Sequence, residues 1–320
     1  MCKEKPRYIL VEDEDHLNRI ATELRKEREI GVDLEANSLF RYHERVCLIQ
    51  ISTLRQNIIV DPLALDSLSP LASVFSNPKI RKVLHGADYD IRSLYRDFGV
   101  EVYALFDTHI AAKALGISKT GLADLLKERL GVTVNKKYQK RDWSKRPLSP
   151  GMLAYAVQDT CHLLPLSRIL EDELRGKGRL WSFKQECERQ ARVRPAPPDT
   201  NPLFMRFGGA RKLDPRGLAV LDSILRLRDD MARLKDRPPF KIIGNEQVME
   251  IAKRKPATKE DLRQIQGVSA RQVKILGPSI LKKVEESLTL PEDQLPTFPK
   301  RPGGGAKQNH GRYERSTRLA

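Results

Sequence analysis

Residues 29–40 read EIGVDLEANSLF and combine an apolar segment with two acidic residues separated by a single position. In a β-strand, residues i and i+2 point to the same face, so a strand here places Asp33 and Glu35 side by side. Two like charges this close repel and raise each other's pKa unless a cation neutralises them, and a hard divalent metal ion does so. An exposed strand face with two solvated acids is the alternative, and for this short motif alone it is favoured.

The segments around residues 29–40 predict a mixed β-sheet covered by helices. A short strand comes first, followed by an amphipathic helix from about Asp13, and the Val- and Ile-rich segments RVCLIQIS and QNIIVDP form two further strands. Later, the strand KVLHG alternates with helices, of which one runs from Gly151 to about Leu174. Successive strands followed by this alternation are typical of an α/β domain with a mixed sheet.

The charge is distributed unequally along the chain. The formal net charge is +16, and residues 181–320 carry 29 basic and 17 acidic side chains, whereas residues 1–180 carry 29 and 25. A basic excess of this size predicts a polyanionic partner, and nucleic acid is the first choice. A basic surface that serves only solubility is the alternative, but it explains the asymmetry less well.

Composition divides the chain into four segments. The proline-rich stretch RVRPAPPDTNP precedes several amphipathic helices, one of which starts with a capping-box pattern at Thr258, and the C-terminal end is rich in glycine and basic residues. We predict an α/β domain over residues 1–180, a linker over 181–211, an all-α bundle over 212–291 and a disordered basic tail over 292–320.

The composition also predicts a cytoplasmic protein without a membrane partner. No apolar run approaches the roughly 18 residues that a membrane span needs, and the N-terminus lacks the pattern of a secretory signal. The four cysteines lie far apart and include no C-x-x-C pair, so we expect neither a disulfide framework nor a zinc site.

Two further segments carry acidic residues that can join those of residues 29–40. VLHGADYDIRSLYRDFG places Asp88 and Asp90 where a strand passes into a helix, and Asp88 is well placed to be the N-cap of that helix. MLAYAVQDTCHLLPLSRIL carries Tyr155 and Asp159 on one helical face, four residues apart. Carboxylates from a strand and two helices can meet around a pair of metal ions, with Tyr155 holding a water beside them.

The ordered set of motifs resembles the DEDD superfamily of exonucleases, in the branch marked by tyrosine. VDLEANS, HGADYD and YAVQD carry the resemblance, and LFDTHIAAKALG and YQKRDWSKRPLS look like the ribonuclease D family and its exosome relatives over nearly all of residues 8–175. The bundle at about 212–291 resembles the HRDC domain, an accessory nucleic-acid-binding module. The resemblance implies a ribonuclease H-like fold for the α/β domain.

Carried onto this chain, the resemblance implies that two divalent ions, Mg²⁺ or Mn²⁺, are held by Asp33, Glu35, Asp90 and Asp159, and that Tyr155 orients the attacking water. It implies that nucleoside 5′-monophosphates are released from single-stranded RNA 3′ ends, with tRNA precursors as the expected substrates. Ribonuclease D of enteric bacteria has two tandem helical modules after the exonuclease domain. Only one such module fits here, so the resemblance supports no prediction about a clamp-like arrangement or about processivity.

Substrate contacts are predicted for Phe40, His85, Lys140 and Trp143. The segment NKKYQKRDWSKRPL interleaves basic residues, including Lys140 and Arg146, with aromatic ones, which suits phosphate contacts and base stacking. A solvated loop with Trp143 packed against the core is the alternative. Apolar packing is the alternative for Phe40, and a hydrogen-bonded core position is the alternative for His85. Asp107 in LFDTH, by contrast, is predicted to be the N-cap of the next helix.

Three functions are compatible with these features. The first is a 3′–5′ exoribonuclease, and the second is a DNA-directed 3′–5′ exonuclease, because selection of ribose rests on contacts to the 2′-hydroxyl that no motif here reveals. The third is a catalytically inactive RNA-binding scaffold. The intact acids and Tyr155 favour catalysis, since a scaffold has no reason to retain buried like charges.

Overall fold

A computed structural model of the chain describes residues 7–197 and 200–299. These residues form two compact units; the second begins at Thr200, and the short segment Lys235–Pro238 is grouped with the first. Within the two described ranges, no helix combines the length and the apolar composition that a membrane crossing requires.

The first unit contains a mixed sheet, as the sequence predicts. Its strands are β1 (Ile9–Val11), β2 (Glu29–Ala36), β3 (Val46–Ser52), β4 (Asn57–Val60), β5 (Arg81–Leu84) and β6 (Leu105–Asp107). Their order across the sheet is β1-β4-β3-β2-β5-β6. β3 pairs antiparallel with β2 and β4, and the other neighbours are parallel. β2 therefore lies inside the sheet, between one antiparallel and one parallel neighbour.

Helices pack against this sheet and close its core. They are α1 (Glu14–Leu24), α2 (Ser69–Phe75), α3 (Asp88–Phe98), α4 (Thr108–Leu115), α5 (Leu122–Leu130), α6 (Pro150–Thr160), α7 (Leu163–Gly176) and α8 (Leu180–Ala191). Ile30 and Val32 of β2 are fully buried in the main apolar cluster. A smaller cluster forms where α6 packs on β3 and β4.

The single helix predicted from Gly151 to about Leu174 is two helices in the structure. α6 ends at Thr160 and α7 begins at Leu163. Pro165 accounts for the break, because proline removes one helical hydrogen bond and its ring clashes with the carbonyl four residues earlier. The helix is therefore interrupted directly after the segment that carries the third motif.

The first unit also extends beyond its predicted end. The linker is predicted over residues 181–211, but α8 occupies the first part of that range and buries Phe183, Cys187 and Ala191. These three residues recur every fourth position, which is the apolar spacing of a helix that packs on one side. The structure therefore corrects the start of the linker to a position after α8.

The second unit is helical, in agreement with the predicted all-α bundle. It contains α9 (Pro215–Leu234), α10 (Pro239–Ile242), α11 (Asn245–Arg254), α12 (Lys259–Arg263) and α13 (Ala270–Leu288), with 3₁₀ turns at Leu203–Arg206, Ala210–Lys212 and Glu292–Gln294. The predicted capping box is present: the Asp261 N–H donates to the Thr258 hydroxyl at 3.1 Å, and the Thr258 N–H donates to the Asp261 carboxylate at 2.9 Å.

The predicted disordered tail, residues 292–320, is described only in part. Its first residues form the 3₁₀ turn Glu292–Gln294. The ring of Phe298 packs edge-on against Phe204, with 5.2 Å between the centroids. An aromatic anchor of this kind gives the start of the segment a fixed place in the second unit, so the structure corrects the prediction there. Residues 300–320 lie outside the described part of the chain.

Candidate active site

Strand β2 presents the two acids of the first motif on one face of the sheet. In the register with β3, Asp33 lies opposite Gln50 and Glu35 lies opposite Leu48. Leu34, between the acids, points to the other face and is buried in the main core. The alternation of the strand therefore sets the two carboxylates side by side, as predicted, and both are half-buried.

Helix α6 brings Tyr155 and Asp159 to the same face. Its end is fixed to β3 by a contact of 2.6 Å between the hydroxyl groups of Thr160 and Ser52. Gly31 of β2 makes the close approach possible, because a Cβ there would lie 3.0 Å from the carbonyl oxygen of Thr160. Strand and helix are thus held together at the point where Asp159 meets the acids of β2.

Helix α3 supplies the fourth carboxylate. Asp90 lies in its first turn and is only 7% exposed. The turn before the helix is held by Asp107, whose carboxylate accepts hydrogen bonds from the Gly86 N–H at 2.9 Å and the Ala87 N–H at 2.8 Å. Asp107 also accepts from the His109 N–H at 2.8 Å, which confirms the predicted N-cap of α4. No local pattern indicates that Asp107 also holds the turn before α3, because that contact depends on the pairing of β5 with β6.

The prediction that Asp88 caps α3 is wrong. Ala87 occupies the N-cap position, and no side chain bonds to the free N–H groups from there. The Asp88 carboxylate instead accepts a hydrogen bond from Arg92, one turn later, at 2.8 Å, and another from Gln190 at 3.1 Å. Asp88 is 56% exposed and has its partners outside the group formed by Asp90 and the other acids.

The carboxylates of β2, α3 and α6 converge. One oxygen from each of Asp33, Glu35 and Asp159 lies within 4.8 Å of the other two. Asp90 is near enough for its charge to raise the pKa of both Asp33 and Glu35. The Tyr155 hydroxyl donates a hydrogen bond to Asp159. The structure thus brings together all five residues of the three motifs, which we call the carboxylate cluster with its tyrosine.

Burial raises the pKa of every acid in the cluster. It raises the pKa of Glu35 to about 9 and those of Asp90 and Asp159 to about 7. The pKa of Asp33 also rises well above its ordinary value, first through burial and then through the charges of its three neighbours. Burial and the charge of Asp159 raise the pKa of Tyr155, so the phenol keeps its proton.

The donor set of the cluster fits a hard divalent cation. All four acids offer carboxylate oxygens, which are the ligands that Mg²⁺ and Mn²⁺ prefer. Their raised pKa values show that ionising these acids together is unfavourable until a positive charge joins them. The residues present are therefore suited to the ions that the resemblance implies.

We expect the metal-free protein to lose stability as the pH rises. Glu35, Asp90 and Asp159 have folded-state pKa values of about 7 to 9, above their ordinary values of 3.8 and 4.5, so the folded state binds more protons than the unfolded state between about pH 4 and pH 9. The stability that these protonated acids contribute is complete below about pH 4. It is lost as the pH rises through their folded-state pKa values. Thermal unfolding in chelator from pH 6 to 9 checks this. Asp33→Asn should flatten the fall in Tm, whereas identical slopes in both proteins would contradict the assignment.

Two of the predicted substrate contacts share one open cavity. Phe40 and Lys140 line a cavity of about 600 Å³, to which Tyr138 also contributes. Trp143, in contrast, is 1% exposed, and its ring lies 6.2 Å from that of Tyr155, centroid to centroid. A ring without exposed surface cannot stack on a base, so the structure contradicts the substrate-contact prediction for Trp143 and agrees with the packing alternative.

His85 is held within the fold. Its Nδ1 lies 2.9 Å from the Thr108 hydroxyl oxygen, and its ring meets that of His109 edge-on with centroids 5.6 Å apart. Burial lowers the pKa of His85 to about 4, so the ring is neutral at physiological pH. These contacts agree with the core alternative for His85 rather than with the predicted substrate contact.

Arg146 anchors the basic segment to the sheet. Its guanidinium donates to the Asp61 carboxylate at 2.6 Å and to the Cys47 carbonyl at 2.8 Å. Arg146 is thus engaged within the fold, while Lys140 and Lys145 line the open cavity beside Phe40. No local pattern indicates which basic residue is used in this way, because Asp61 is distant along the chain.

Both units match models of known protein families. The model of a 3′–5′ exonuclease family matches residues 8–175, and that of the HRDC domain matches residues 217–284. The protein RRP6-like 1 of Arabidopsis thaliana is 34% identical over 275 residues, which cover 82% of this chain and 43% of that protein. The chain thus spans less than half the length of this relative.

Two solved structures are similar over most of the chain. The catalytic core of RRP6 from Trypanosoma brucei has a TM-score of 0.77 and 32% identity, and the match covers 88% of this chain and 80% of that one. RNase D of Escherichia coli has a TM-score of 0.71 and 30% identity, with 91% and 78% covered. The mixed sheet and the helical region that follows it are thus shared with both.

Proposed function

The chain belongs to the 3′–5′ exonuclease family and carries an HRDC domain, and on this premise we propose that it is a 3′–5′ exoribonuclease. The observation that carries the proposal is the carboxylate cluster with its tyrosine. RNA as the substrate is supported by the similarity to Escherichia coli RNase D, an exoribonuclease involved in structured RNA processing.

The proposed substrates are the single-stranded 3′ ends of structured RNA, with tRNA precursors among them. The cavity lined by Phe40 and Lys140 supports this, because it offers an aromatic ring and a cation to a nucleotide. The cytoplasm is the proposed location. Cys47 and Cys187 are buried thiols that form no disulfide within the described residues, which supports a reducing compartment.

The proposed reaction is hydrolysis of the last phosphodiester bond of the RNA. The oxygen of a water molecule bonds to phosphorus, the bond from phosphorus to the 3′ oxygen of the preceding nucleotide breaks, and that oxygen takes up a proton. The products are a nucleoside 5′-monophosphate and an RNA that is one nucleotide shorter. Two divalent ions held by Asp33, Glu35, Asp90 and Asp159 would lower the pKa of the water and place positive charge at the phosphate.

Asp33 and Tyr155 have different proposed roles in the cluster: Asp33 holds the ions, and Tyr155 positions Asp159 and the water. The family resemblance implies that Asp33 would be a ligand of both ions, and the closeness of Glu35, Asp90 and Asp159, whose charges all act on Asp33, supports this role. Tyr155 retains its proton and holds Asp159 through its hydroxyl, and the same hydroxyl is proposed to orient the water.

The ring of Tyr155 is fixed by its neighbours, since Tyr138 and Trp143 lie 6.0 and 6.2 Å from it, centroid to centroid. Tyr155→Phe should therefore keep the fold and lower the hydrolysis rate by about 10²-fold or more, because the apolar packing remains while the hydroxyl is removed. Single-turnover rates at saturating Mg²⁺ measure this. A rate within threefold of the parent would remove Tyr155 from the mechanism.

A direct test compares RNA and DNA of the same sequence. Each is end-labelled and incubated with Mg²⁺ or Mn²⁺, with and without chelator, and the products are separated on a gel. We expect the RNA to shorten from its 3′ end only when metal is free, and the DNA to react more slowly. Faster loss of the DNA would favour a DNA exonuclease, and binding of RNA without any hydrolysis would favour an inactive scaffold.

The second unit is the proposed RNA platform, because residues 200–320 carry 25 basic and 14 acidic side chains. Removal of residues 203–320 should leave an active nuclease that binds long RNA more weakly. The dependence of log affinity on log salt should become shallower by about 0.7 for each phosphate of a single strand that the shortened protein no longer binds. Affinities measured between 50 and about 200 mM salt decide this. An unchanged slope would place the RNA-binding surface elsewhere.

A further inference from the structure

Gln50 is a buried amide whose polar atoms have no partner. Its side chain is 0% exposed, and neither its Nε2 nor its Oε1 makes a hydrogen bond within the described residues. Polar groups buried in folded proteins are nearly always hydrogen-bonded. An amide left in this state indicates a partner that the bare chain does not supply in this arrangement.

The strand register places this amide against the carboxylate cluster. Gln50 lies directly opposite Asp33 in the antiparallel pair β2–β3. Such residues project from the same face with Cβ atoms about 4.5–5.5 Å apart. Ser52, two residues along that face, contacts Thr160 at the end of α6. Leu48, two residues the other way, packs in the cluster formed by β3, β4 and α6. Gln50 therefore lies beneath α6, beside Asp33.

This enclosure limits what Gln50 can do. A side chain without exposed surface cannot contact RNA. Packing alone does not account for it either, because methionine or leucine would fill a similar volume without burying two unsatisfied polar atoms. Asp33 is the acid directly across the strand pair, and a carboxylate accepts hydrogen bonds that an amide N–H donates.

We propose that Gln50 is a positioning residue for Asp33: in the ion-loaded protein its Nε2–H group donates to the Asp33 carboxylate and fixes which oxygens face the ions. This inference rests on the proposed function of the cluster. Hydrogen bonds from outside the ligand set orient ligating carboxylates, and loss of such a partner typically weakens metal binding 10- to 100-fold.

Mn²⁺ titration by calorimetry tests the proposal without reference to activity. Gln50→Met and Gln50→Leu remove the amide and keep an apolar side chain of similar size. We expect Mn²⁺ affinity to fall by about 10-fold or more in both, while Tm in chelator stays equal or rises, because an unsatisfied polar group is gone. Ile49→Met is the matched control, since Ile49 is the adjacent residue of β3 and is buried in the core on the other face.

The outcomes separate a positioning role from a structural one. Mn²⁺ affinity within twofold of the parent would overturn the proposal, and so would an equal decrease in Ile49→Met, which would point to general repacking of β3. If neither Gln50 variant folds, the amide serves the fold and the proposal is wrong. A parent protein that binds no Mn²⁺ would overturn the proposed function itself, so the two failures are distinguishable.

Discussion

Asp33→Asn is expected to reduce RNA hydrolysis at least about a thousandfold, while RNA binding and folding persist. The substitution removes the carboxylate that lies among the three other acids and is the proposed ligand of both ions. A loss of several kcal/mol of transition-state stabilisation corresponds to this factor, at about 1.4 kcal/mol for each tenfold change. Without metal, the variant should be as stable as the parent or more so, because one of four mutually close acids becomes neutral.

Three measurements on Asp33→Asn check this result: the single-turnover rate with excess enzyme, the RNA affinity and the Tm in chelator. Asp172→Asn is a suitable control, since Asp172 is exposed and pairs with Arg175 on the surface of α7. The control should match the parent in all three. A variant of Asp33 that degraded RNA at a tenth of the parent rate would rule out its role as a metal ligand.

Asp90→Asn should also keep the fold and lose the activity, whereas Asp88→Asn should be nearly silent. The two residues share the first turn of α3, but Asp90 is buried against the cluster and Asp88 is bound to Arg92 and Gln190 at the surface. Asn at position 88 retains an oxygen that can accept a hydrogen bond from Arg92. The pair therefore separates the loss of a proposed ligand from a general effect on the helix.

Rates and Mn²⁺ titrations of the two variants, measured side by side, provide the test. We expect Asp90→Asn to bind fewer ions than the parent and Asp88→Asn to bind the same number. An inactive Asp88→Asn beside an active Asp90→Asn would show that the second motif contributes the other carboxylate.

Local patterns are sufficient for the elements that carry the site. The alternation of β2 places Asp33 and Glu35 together, and the helical period places Tyr155 one turn from Asp159. Pro165 is the sequence signal for the break after α6. The apolar spacing of α8 is the signal that the first unit extends beyond residue 180. The end of the first unit escapes prediction because the proline-rich stretch that follows α8 carries a stronger local signal for a linker.

Interactions between distant segments decide what local patterns cannot. Asp88 is not a cap because Asp107, at the end of the neighbouring strand, holds the Gly86–Ala87 turn. Trp143 is buried because Arg146 binds Asp61 and fixes the segment against the sheet. Asp107 is distant in sequence from the Gly86–Ala87 turn, and Asp61 is distant from Arg146. Local propensity and residue spacing therefore cannot predict either contact.

The carboxylate cluster is proposed to remove nucleotides from RNA 3′ ends in a reaction that depends on divalent ions. A time course with 5′-labelled single-stranded RNA tests it most directly, with the released products identified by mass spectrometry. We expect a ladder that shortens one nucleotide at a time with the label retained, release of nucleoside 5′-monophosphates, and arrest by chelator. Internal fragments at the earliest times, or an unchanged rate in chelator, would contradict it.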